Sequence, residues 1–542
     1  MVGIGFGIAG YGYHHYYKMM VLRKMTVAFN PGDPVLELAA MSRSVPKHIA
    51  GNALDPHFKH SANKDDERQA SDDNDNEDGR DHYWIRRPEQ EIVNGIVWGQ
   101  TIGHYHLFIG EKGTGKSSMQ LDAMAQIDAE GVAMFDAHAD LEIFRIRLGK
   151  ALNYEFHEDY IGGYFSERGP RDTTALLDIE RALNKLEKVA LQRRNATRPG
   201  VRRRPLVIIV NQMHLIRDDE DGRDLIELLQ QRAEQWAASG LVTMVFNSDD
   251  YWVYERLKQL AARLEVHSIQ DLSRHQAMET LQRYRWRHFG ERVSDETASN
   301  IYEQVGGRLT FLNRVARSRN MELTCRRIME AEKAWFLGQC WILGSDMDDD
   351  VMDQQKWAAA AMVLAQALID KEAEEWESKK QEAAEESEAA KKQDPKTALA
   401  RLDEAPQRTW LPSFSLHEAQ QIQTRADFIR EMDRRNLFTI DSRAQVRASS
   451  VPMQWALREI CRMPGFRDHL DATVQRIADI ESLGRTRELV AKDLVLGGHY
   501  ELSSTGKRDG NGSKAEVRFR GWSPHERPPR DPPEPSSSDN AT

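Results

Sequence analysis

The chain has 542 residues and a formal net charge of −11. This length exceeds what one hydrophobic core usually holds, so we expect two or three domains joined by linkers. The three cysteines Cys325, Cys340 and Cys461 are too few and too widely spaced for a disulfide framework or a cysteine-rich zinc site, and the modest negative charge excludes a nucleic-acid footprint over the whole protein.

The N-terminal segment, residues 1–32, is apolar and basic. Residues 1–17 carry no charge, and no acidic residue precedes Asp33. The apolar run falls short of the roughly 20 residues that span a bilayer. A membrane anchor, an organelle-targeting peptide and a disordered arm therefore all stay open. The cysteine usage favours an intracellular protein, with a mitochondrial or membrane-associated location left open.

A linker is predicted at residues 33–82, and it is acidic and disordered from about residue 61. Residues 83–272 then alternate short apolar strands with helical patterns, which indicates an α/β fold with a parallel sheet. The predicted strands are Tyr105–Ile109, Val132–Asp136, Leu206–Val210, Leu241–Phe246 and Leu264–Ile269, and helices are predicted near 117–128, 139–152, 173–194, 223–238 and 252–262.

The first of these strands leads into a sequence with the spacing G-x-x-x-x-G-K-[ST], which is typical of a phosphate-binding loop. Its glycines allow backbone N–H groups to converge on an anion. Lys116 would reach the outer phosphates, Ser117 would bind Mg²⁺, and the helix that begins there would add its positive dipole. The predicted phosphate-binding residues are Gly110, Glu111, Lys112, Gly113, Thr114, Gly115, Lys116, Ser117 and Ser118.

The strand Leu206–Val210 occupies the place of the acidic strand that such a loop requires, but it ends in Asn211 and Gln212. Asn211 can accept a hydrogen bond from a metal-bound water, so we predict it as a metal-site residue beside Ser117. Gln212 can orient a water molecule but cannot deprotonate it. Hydrolysis is therefore predicted to be slow or absent, unless a carboxylate such as Asp136, Asp218 or Asp219 substitutes.

Asn247 follows the fourth strand, where a side chain could sense the γ-phosphate by a hydrogen bond. The predicted catalytic residues are thus Lys116, Gln212 and Asn247. An arginine acting in trans is left open, with Arg256, Arg263, Arg308 and Arg314 as candidates. The basic stretch 192–204 could contact nucleic acid or acidic lipid, although a solvated loop is favoured. His104 and His106 are interpreted as structural, because no third ligand accompanies them.

The C-terminal half is predicted to be mostly helical. Residues 273–345 form a helical lid with a break at Gly306-Gly307, and residues 346–412 form a long helix and a charged linker. Residues 413–500 contain two helices followed by a hairpin, which suggests a winged-helix-like domain. Residues 501–542 are rich in Gly, Ser, Pro and charge and are predicted to be a disordered tail.

Taken together, the phosphate loop, the degenerate acidic strand, Asn247 and the lid segment Val305-Gly306-Gly307-Arg308 resemble the AAA+/STAND-type P-loop ATPases. The closest match is their archaeal-type ATPase branch, which has fungal, including mitochondrial, members. The resemblance implies ATP and Mg²⁺ as cofactors, a winged-helix domain after the lid, and Arg86–Glu89 near the adenine. The chain also lacks the Asn-Lys-x-Asp guanine motif.

We therefore expect an ATP-binding switch or remodelling ATPase with weakened hydrolysis. The alternative is a non-hydrolysing ATP-binding scaffold that contacts nucleic acid or a membrane. Self-association is also left open, because the sequence does not determine the oligomeric state.

Overall fold

The computed structural model describes residues 2–43, 87–156, 174–195, 204–342, 352–391, 411–493, 498–505 and 514–522. The acidic stretch 61–82, residues 196–203 of the basic stretch, and Arg86 lie outside these ranges, so what was predicted for them stays a prediction. The chain divides into two compact units, residues 1–346 with 353–466, and residues 347–352 with 467–542.

The centre of the first unit is a five-stranded sheet in the order β2-β3-β4-β1-β5. All neighbouring strands are parallel, so their carboxyl ends meet at one edge. This confirms the predicted α/β class, and the predicted strands are found with shifts of at most two residues at their ends. The strands are β1 (Tyr105–Ile109), β2 (Val132–Asp136), β3 (Leu206–Asn211), β4 (Val242–Ser248) and β5 (Leu264–Ser268).

Helices cover both faces of this sheet, and the inner strands are therefore buried along almost their whole length. One face packs on apolar residues of α3 and α4, and the other packs on α5 to α8. The helices are α3 (Pro88–Val97), α4 (Lys116–Gln126), α5 (Leu141–Ala151), α6 (Ala175–Asn195), α7 (Glu220–Ser239) and α8 (Trp252–Gln259).

The N-terminal segment is helical, with α1 (Val2–Val27) followed by α2 (Pro34–Arg43). Of the three alternatives left open for residues 1–32, a disordered arm does not agree with the helix α1, and α2 lies within the segment 33–82 that was predicted as a linker. Met25 and Phe29 are fully buried in the cluster that contains α5 to α8, and this apolar contact holds the end of α1 against the core. Among the described residues, no helix has the length and apolar character that crossing a membrane requires.

The predicted lid is a bundle of four helices with its own apolar cluster. They are α9 (Arg274–Phe289), α10 (Asp295–Val305), α11 (Leu309–Ala316) and α12 (Met321–Gln339). The long helix α13 (Met352–Lys391) follows, as predicted.

The winged-helix fold is present after α13. Helices α14 (Leu416–Gln423) and α15 (Ala426–Arg434) precede the hairpin of β7 (Phe438–Ile440) and β8 (Gln445–Ala448). A further short strand, β6 (Ser413–Ser415), pairs with β8 and was not predicted, and α16 (Val451–Cys461) follows the hairpin. We use the term wing for the segment 436–449.

The last elements are α17 (Phe466–Asp493) and an antiparallel hairpin of β9 (Gly498–Thr505) and β10 (Lys514–Trp522). The prediction of a disordered tail from residue 501 is therefore wrong for 501–505 and 514–522. Apolar and polar residues alternate in these strands, as in Ala515 to Phe519, and this period of two is typical of strands. Residues 523–542 lie outside the described residues.

Gly307 joins the lid to the core, and it offers a test of this connection. Leu272 donates its N–H to the carbonyl of Gly307 at 3.0 Å, and a Cβ at Gly307 would overlap the Leu272 carbonyl oxygen. We expect Gly307→Ala to lower the free energy of unfolding by about 1–3 kcal/mol. The matched change Gly338→Ala, in α12 with open space around it, should raise it by up to about 1 kcal/mol. Denaturant unfolding of both variants would decide, and equal effects would contradict this packing.

Candidate nucleotide-binding site

The predicted phosphate loop lies between the end of β1 and the start of α4 at the carboxyl edge of the sheet. Gly113 and Gly115 have φ values of +88° and +100°, which only glycine adopts without strain. No side chain caps α4, and within the described residues the N–H groups of Gly113, Gly115, Lys116 and Ser117 have no protein acceptor. A loop with converging, unpaired N–H groups at a helix N-terminus fits an anion such as a phosphate.

Lys116 is buried and all three of its N–H donors are engaged. Its Nζ donates to the carbonyl oxygens of Gly110 at 2.7 Å and Glu111 at 2.9 Å, and it forms an ion pair with Asp249 at 2.7 Å. Burial lowers the pKa of Lys116, and the charge of Asp249 opposes this shift. The sequence did not single out Asp249, although it directly follows the β4 strand at the edge where ligands bind. A phosphate would compete with this carboxylate for the lysine.

Asn211 and Asn247, the predicted metal-site and catalytic residues, lie together in a buried group of amides. Asn247 donates to the Asn211 side-chain oxygen and exchanges two hydrogen bonds with Gln120 of α4, at 2.5 and 2.7 Å. Gln120 was not expected to take part. The donors and acceptors are largely satisfied among these three residues, so Asn247 reaches a phosphate, and Asn211 a metal-bound water, only if they exchange a partner.

Gln212 is exposed and has left-handed backbone geometry, with a φ of +56°. Its side chain has no hydrogen bond to any other described residue. The carboxylates that were considered as substitutes are placed otherwise, because Asp218 pairs with Arg223 and Arg256, and Asp219 caps α7. Asp136 ends β2 beside Asn211 and is exposed. Asp249 is thus the carboxylate that the structure places against Lys116.

Glu111 of the phosphate loop connects three parts of the protein. It is buried, with 6% of its surface exposed, and it pairs with Arg308 of the lid and Arg447 of the wing. Arg308 also pairs with Asp271 at 3.1 Å and donates to the Ser449 carbonyl at 2.7 Å. We call Glu111, Arg308, Arg447 and Asp271 the charge clamp.

The two arginines of the charge clamp oppose the effect of burial on the carboxylate of Glu111. Burial raises the pKa of Glu111, while the charges of Arg447 and Arg308 act against that shift. Burial alone would lower the pKa of Arg308, but Asp271 and Glu111 raise it above its ordinary value. Removal of either arginine would leave Glu111 with one charged partner instead of two, which is unfavourable for a buried carboxylate.

Arg308 was a candidate for an arginine acting in trans, but it is 2% exposed and pairs within its own chain. Its burial excludes that role in this arrangement. Arg87, from the segment predicted near the adenine, donates to the carbonyl oxygens of Thr114 and Gln270 at 3.0 and 2.9 Å. It therefore ties the segment before α3 to the phosphate loop.

The lid and the wing both lie against the loop. Thr310 of α11 contacts the space above Gly113, and Leu309 contacts the space above Gly115, so neither glycine could carry a side chain here. A small cleft separates the loop from the wing, and it is lined by Gly110, Glu111, Asp249, Gln270, Asp441 and Arg447.

Part of the second half of the chain matches a known protein family. Residues 338–481 match the family model described as "Fungal AAA protein, C-terminal winged helix domain". Over these residues the match confirms the resemblance to AAA proteins and the winged-helix domain. The comparison with curated proteins gave no match.

Three solved structures are similar to parts of this chain. A Walker-type ATPase of Pyrococcus abyssi has a TM-score of 0.40 and 12% identity, over 69% of this chain and 96% of its own. Cdc6p of Pyrobaculum aerophilum has a TM-score of 0.31 and 8% identity, over 70% of this chain and 96% of its own. AMPPCP-bound DnaA of Aquifex aeolicus has a TM-score of 0.28 and 10% identity, over 51% of this chain and 80% of its own. All three TM-scores are below 0.5, so the likeness of these structures to this chain is loose.

A second contact between the α/β core and the winged-helix domain involves Asp433. Asp433 of α15 accepts hydrogen bonds from the N–H groups of Tyr251 at 2.9 Å and Ile440 at 3.2 Å. Burial raises the pKa of Asp250 to about 7, and Asp249 acts in the same direction, whereas Arg434 opposes it. Burial, followed by the charge of Asp250, also raises the pKa of Asp433. The pair therefore holds a proton well above the pH at which ordinary carboxyl groups lose theirs.

This pair predicts a pH-dependent stability. The folded protein keeps the proton up to about pH 7, while the unfolded chain releases it near pH 4, so the pair's contribution to stability falls as the pH rises through this window. Asp250→Asn should therefore stabilise the protein relative to wild type increasingly from about pH 4 to about pH 7, by at most about 1.4 kcal/mol per pH unit, and the difference should level off above pH 7.

Denaturant unfolding at several pH values measures this difference, and exposed Asp224→Asn controls for the loss of one negative charge. A variant-minus-wild-type difference that stays constant with pH would contradict a shared proton at this contact.

Proposed function

We propose that this protein is an ATP-dependent switch of the AAA+ type, in which Mg-ATP at the phosphate loop competes with the charge clamp for the lid and the wing. The observation that carries the proposal is the pairing of Glu111, a residue of the loop itself, with Arg308 and Arg447 from two other parts of the chain. A change in the loop is thereby a change in what holds both parts.

The competition has a simple electrostatic basis. A triphosphate would bring several negative charges next to the buried carboxylate of Glu111, and it would draw Lys116 from Asp249 and from the Gly110 and Glu111 carbonyls. The arginines of the clamp would then have two competing anions. ATP would shift the equilibrium toward a state with a loosened clamp if it binds that state more tightly than the clamped state. The size of the shift equals the ratio of the two affinities.

The residues on this edge fit ATP better than they fit efficient hydrolysis. Lys116, the unpaired loop amides and Ser117 would hold the phosphates and Mg²⁺. Asn211 and Gln212 carry no charge, so neither can serve as a general base. This supports slow turnover. The same observation also agrees with the second candidate, an ATP-binding scaffold without hydrolysis. Four further points stay predictions: contacts with nucleic acid or a membrane, self-association, the STAND subtype and the location of the protein.

The first test concerns nucleotide binding by the full chain. We expect wild type to bind Mg-ATP, and Lys116→Ala to bind it at least about tenfold more weakly, because a charged hydrogen bond to phosphate is lost. Lys150→Ala, at an exposed position in α5, is the matched control. Calorimetric titration measures both, and equal affinity of Lys116→Ala and wild type would reject the nucleotide site.

The second test separates the slow ATPase from the scaffold. Gln212→Glu introduces a carboxylate at an exposed position at the end of β3, and a positioned general base typically contributes on the order of 10²–10⁴ in rate. We expect phosphate release to rise well above that of wild type if the site is a slowed ATPase. Unchanged release in Gln212→Glu, with intact ATP binding, would favour the scaffold.

The third test addresses the switch. Arg447→Ala removes one arginine of the clamp, so the clamped state loses stability and the apparent affinity for ATP should rise by about 3- to 30-fold. Arg443→Ala, at the exposed tip of the same hairpin, should leave it unchanged. Weaker ATP binding in Arg447→Ala would show that this arginine contacts the phosphates instead, and it would overturn the proposed competition.

A further inference from the structure

The edge of the sheet carries a group of metal-ligand side chains that the nucleotide site does not use. Strands β1 and β5 are parallel neighbours, with His106 opposite Glu265 and Phe108 opposite His267. Residues two apart in a strand point to the same face. His106 therefore shares one face with Glu265 and His267, and His104 lies two residues before it. The sequence analysis considered only His104 and His106. Glu265 and His267 are brought next to them by the pairing of β5 with β1.

The ligand atoms have the spacing of a coordination sphere. His106 Nδ1 lies 3.1 Å from His267 Nε2 and 3.3 Å from the nearer carboxylate oxygen of Glu265. The His267 nitrogen lies 3.9 Å from the same oxygen. In a tetrahedral site with bonds of 2.0–2.1 Å, neighbouring ligand atoms are about 3.3–3.4 Å apart. Two of the three separations agree with such a tetrahedron to within about 0.3 Å, and the third, 3.9 Å, is about half an ångström longer.

Two imidazole nitrogens and one carboxylate oxygen form a donor set that suits zinc and similar transition metals, whereas magnesium and calcium prefer oxygen ligands alone. His104 Nδ1 lies 3.3 Å from the other oxygen of Glu265, on the more exposed side of the group. His106 is fully buried, while the side chain of Glu265 is 40% exposed and leaves a path for an ion.

We propose that His106, Glu265 and His267 bind a zinc-class divalent cation that pins the edge strand β5 to β1. The fourth position would be taken by His104 or by water. All five residues of β5 are only partly buried, and among the described strands β5 pairs with β1 at one side of the sheet. A cation bound by both strands would add a further link between them.

The position of β5 gives such a cation a structural consequence. The strand leads into Ile269, whose N–H donates to the Ile109 carbonyl at 2.8 Å beside the phosphate loop, and then into Asp271 of the charge clamp. A cation at the start of this path would hold the connection from the sheet to the lid in register.

The test uses the full chain, freed of metal with a chelator, and Zn²⁺ alone as the probe. We expect wild type to take up one equivalent in competition with a chromophoric chelator, and its melting temperature to rise with Zn²⁺ by mass action. His267→Asn and Glu265→Gln should each weaken uptake at least about tenfold. Without metal, Glu265→Gln should melt near wild type, because the Glu265 side chain is 40% exposed.

The exposed His275→Asn is the matched control for histidines outside the group, and it should bind Zn²⁺ as wild type does. Substitution with Co²⁺ adds a second readout, since a tetrahedral site absorbs visible light far more strongly than a hydrated surface ion. No stoichiometric uptake by wild type, or uptake that both ligand variants leave unchanged, would overturn the proposal.

Discussion

The structure depends on one buried carboxylate. Glu111 belongs to the phosphate loop, yet it is enclosed by Arg308 from the lid and Arg447 from the wing. A charge in this position is costly unless it keeps its partners, so the three parts hold one another in place. Because the penalty for breaking the pairs is large, the contact favours discrete arrangements over gradual loosening, and this property is what a switch requires.

The local structure of the core could be predicted from the sequence, because short-range patterns determine it. Buried strands appear as continuous apolar runs, and the phosphate loop has a fixed spacing with glycines where φ is positive. The charge clamp could not be predicted in this way. Glu111 fills a variable position of the loop motif, and its partner Arg447 lies 336 residues away. Nothing in a local pattern connects two such residues, since only tertiary packing brings them together.

The errors have similar causes. The N-terminal helix lacks a periodic apolar face, and Met25 and Phe29 at its end become meaningful only through the cluster that buries them. The terminal hairpin alternates correctly but lies within a stretch whose composition indicates disorder. At the site, Asn247 was predicted to contact the γ-phosphate because it follows the predicted fourth strand. In the structure it is hydrogen-bonded to Gln120 and Asn211. Amides can satisfy one another when buried, and a sequence does not reveal that choice.

Asn211 lies at the end of β3, where an acid is usual beside a phosphate loop, and an amide at this position is consistent with the buried group of amides. An aspartate at position 211 would place a negative charge against the amides of Asn247 and Gln120, where only Asn247 now donates to it. Burial of that charge would be costly without a metal ion beside it. With asparagine, the group is neutral and satisfied whether or not Mg²⁺ is bound. Under the proposed function, the charges that would respond to nucleotide lie instead in Lys116, Asp249 and the clamp. The signal would then be the occupancy of the loop, and with slow turnover its duration would follow from the dissociation of nucleotide.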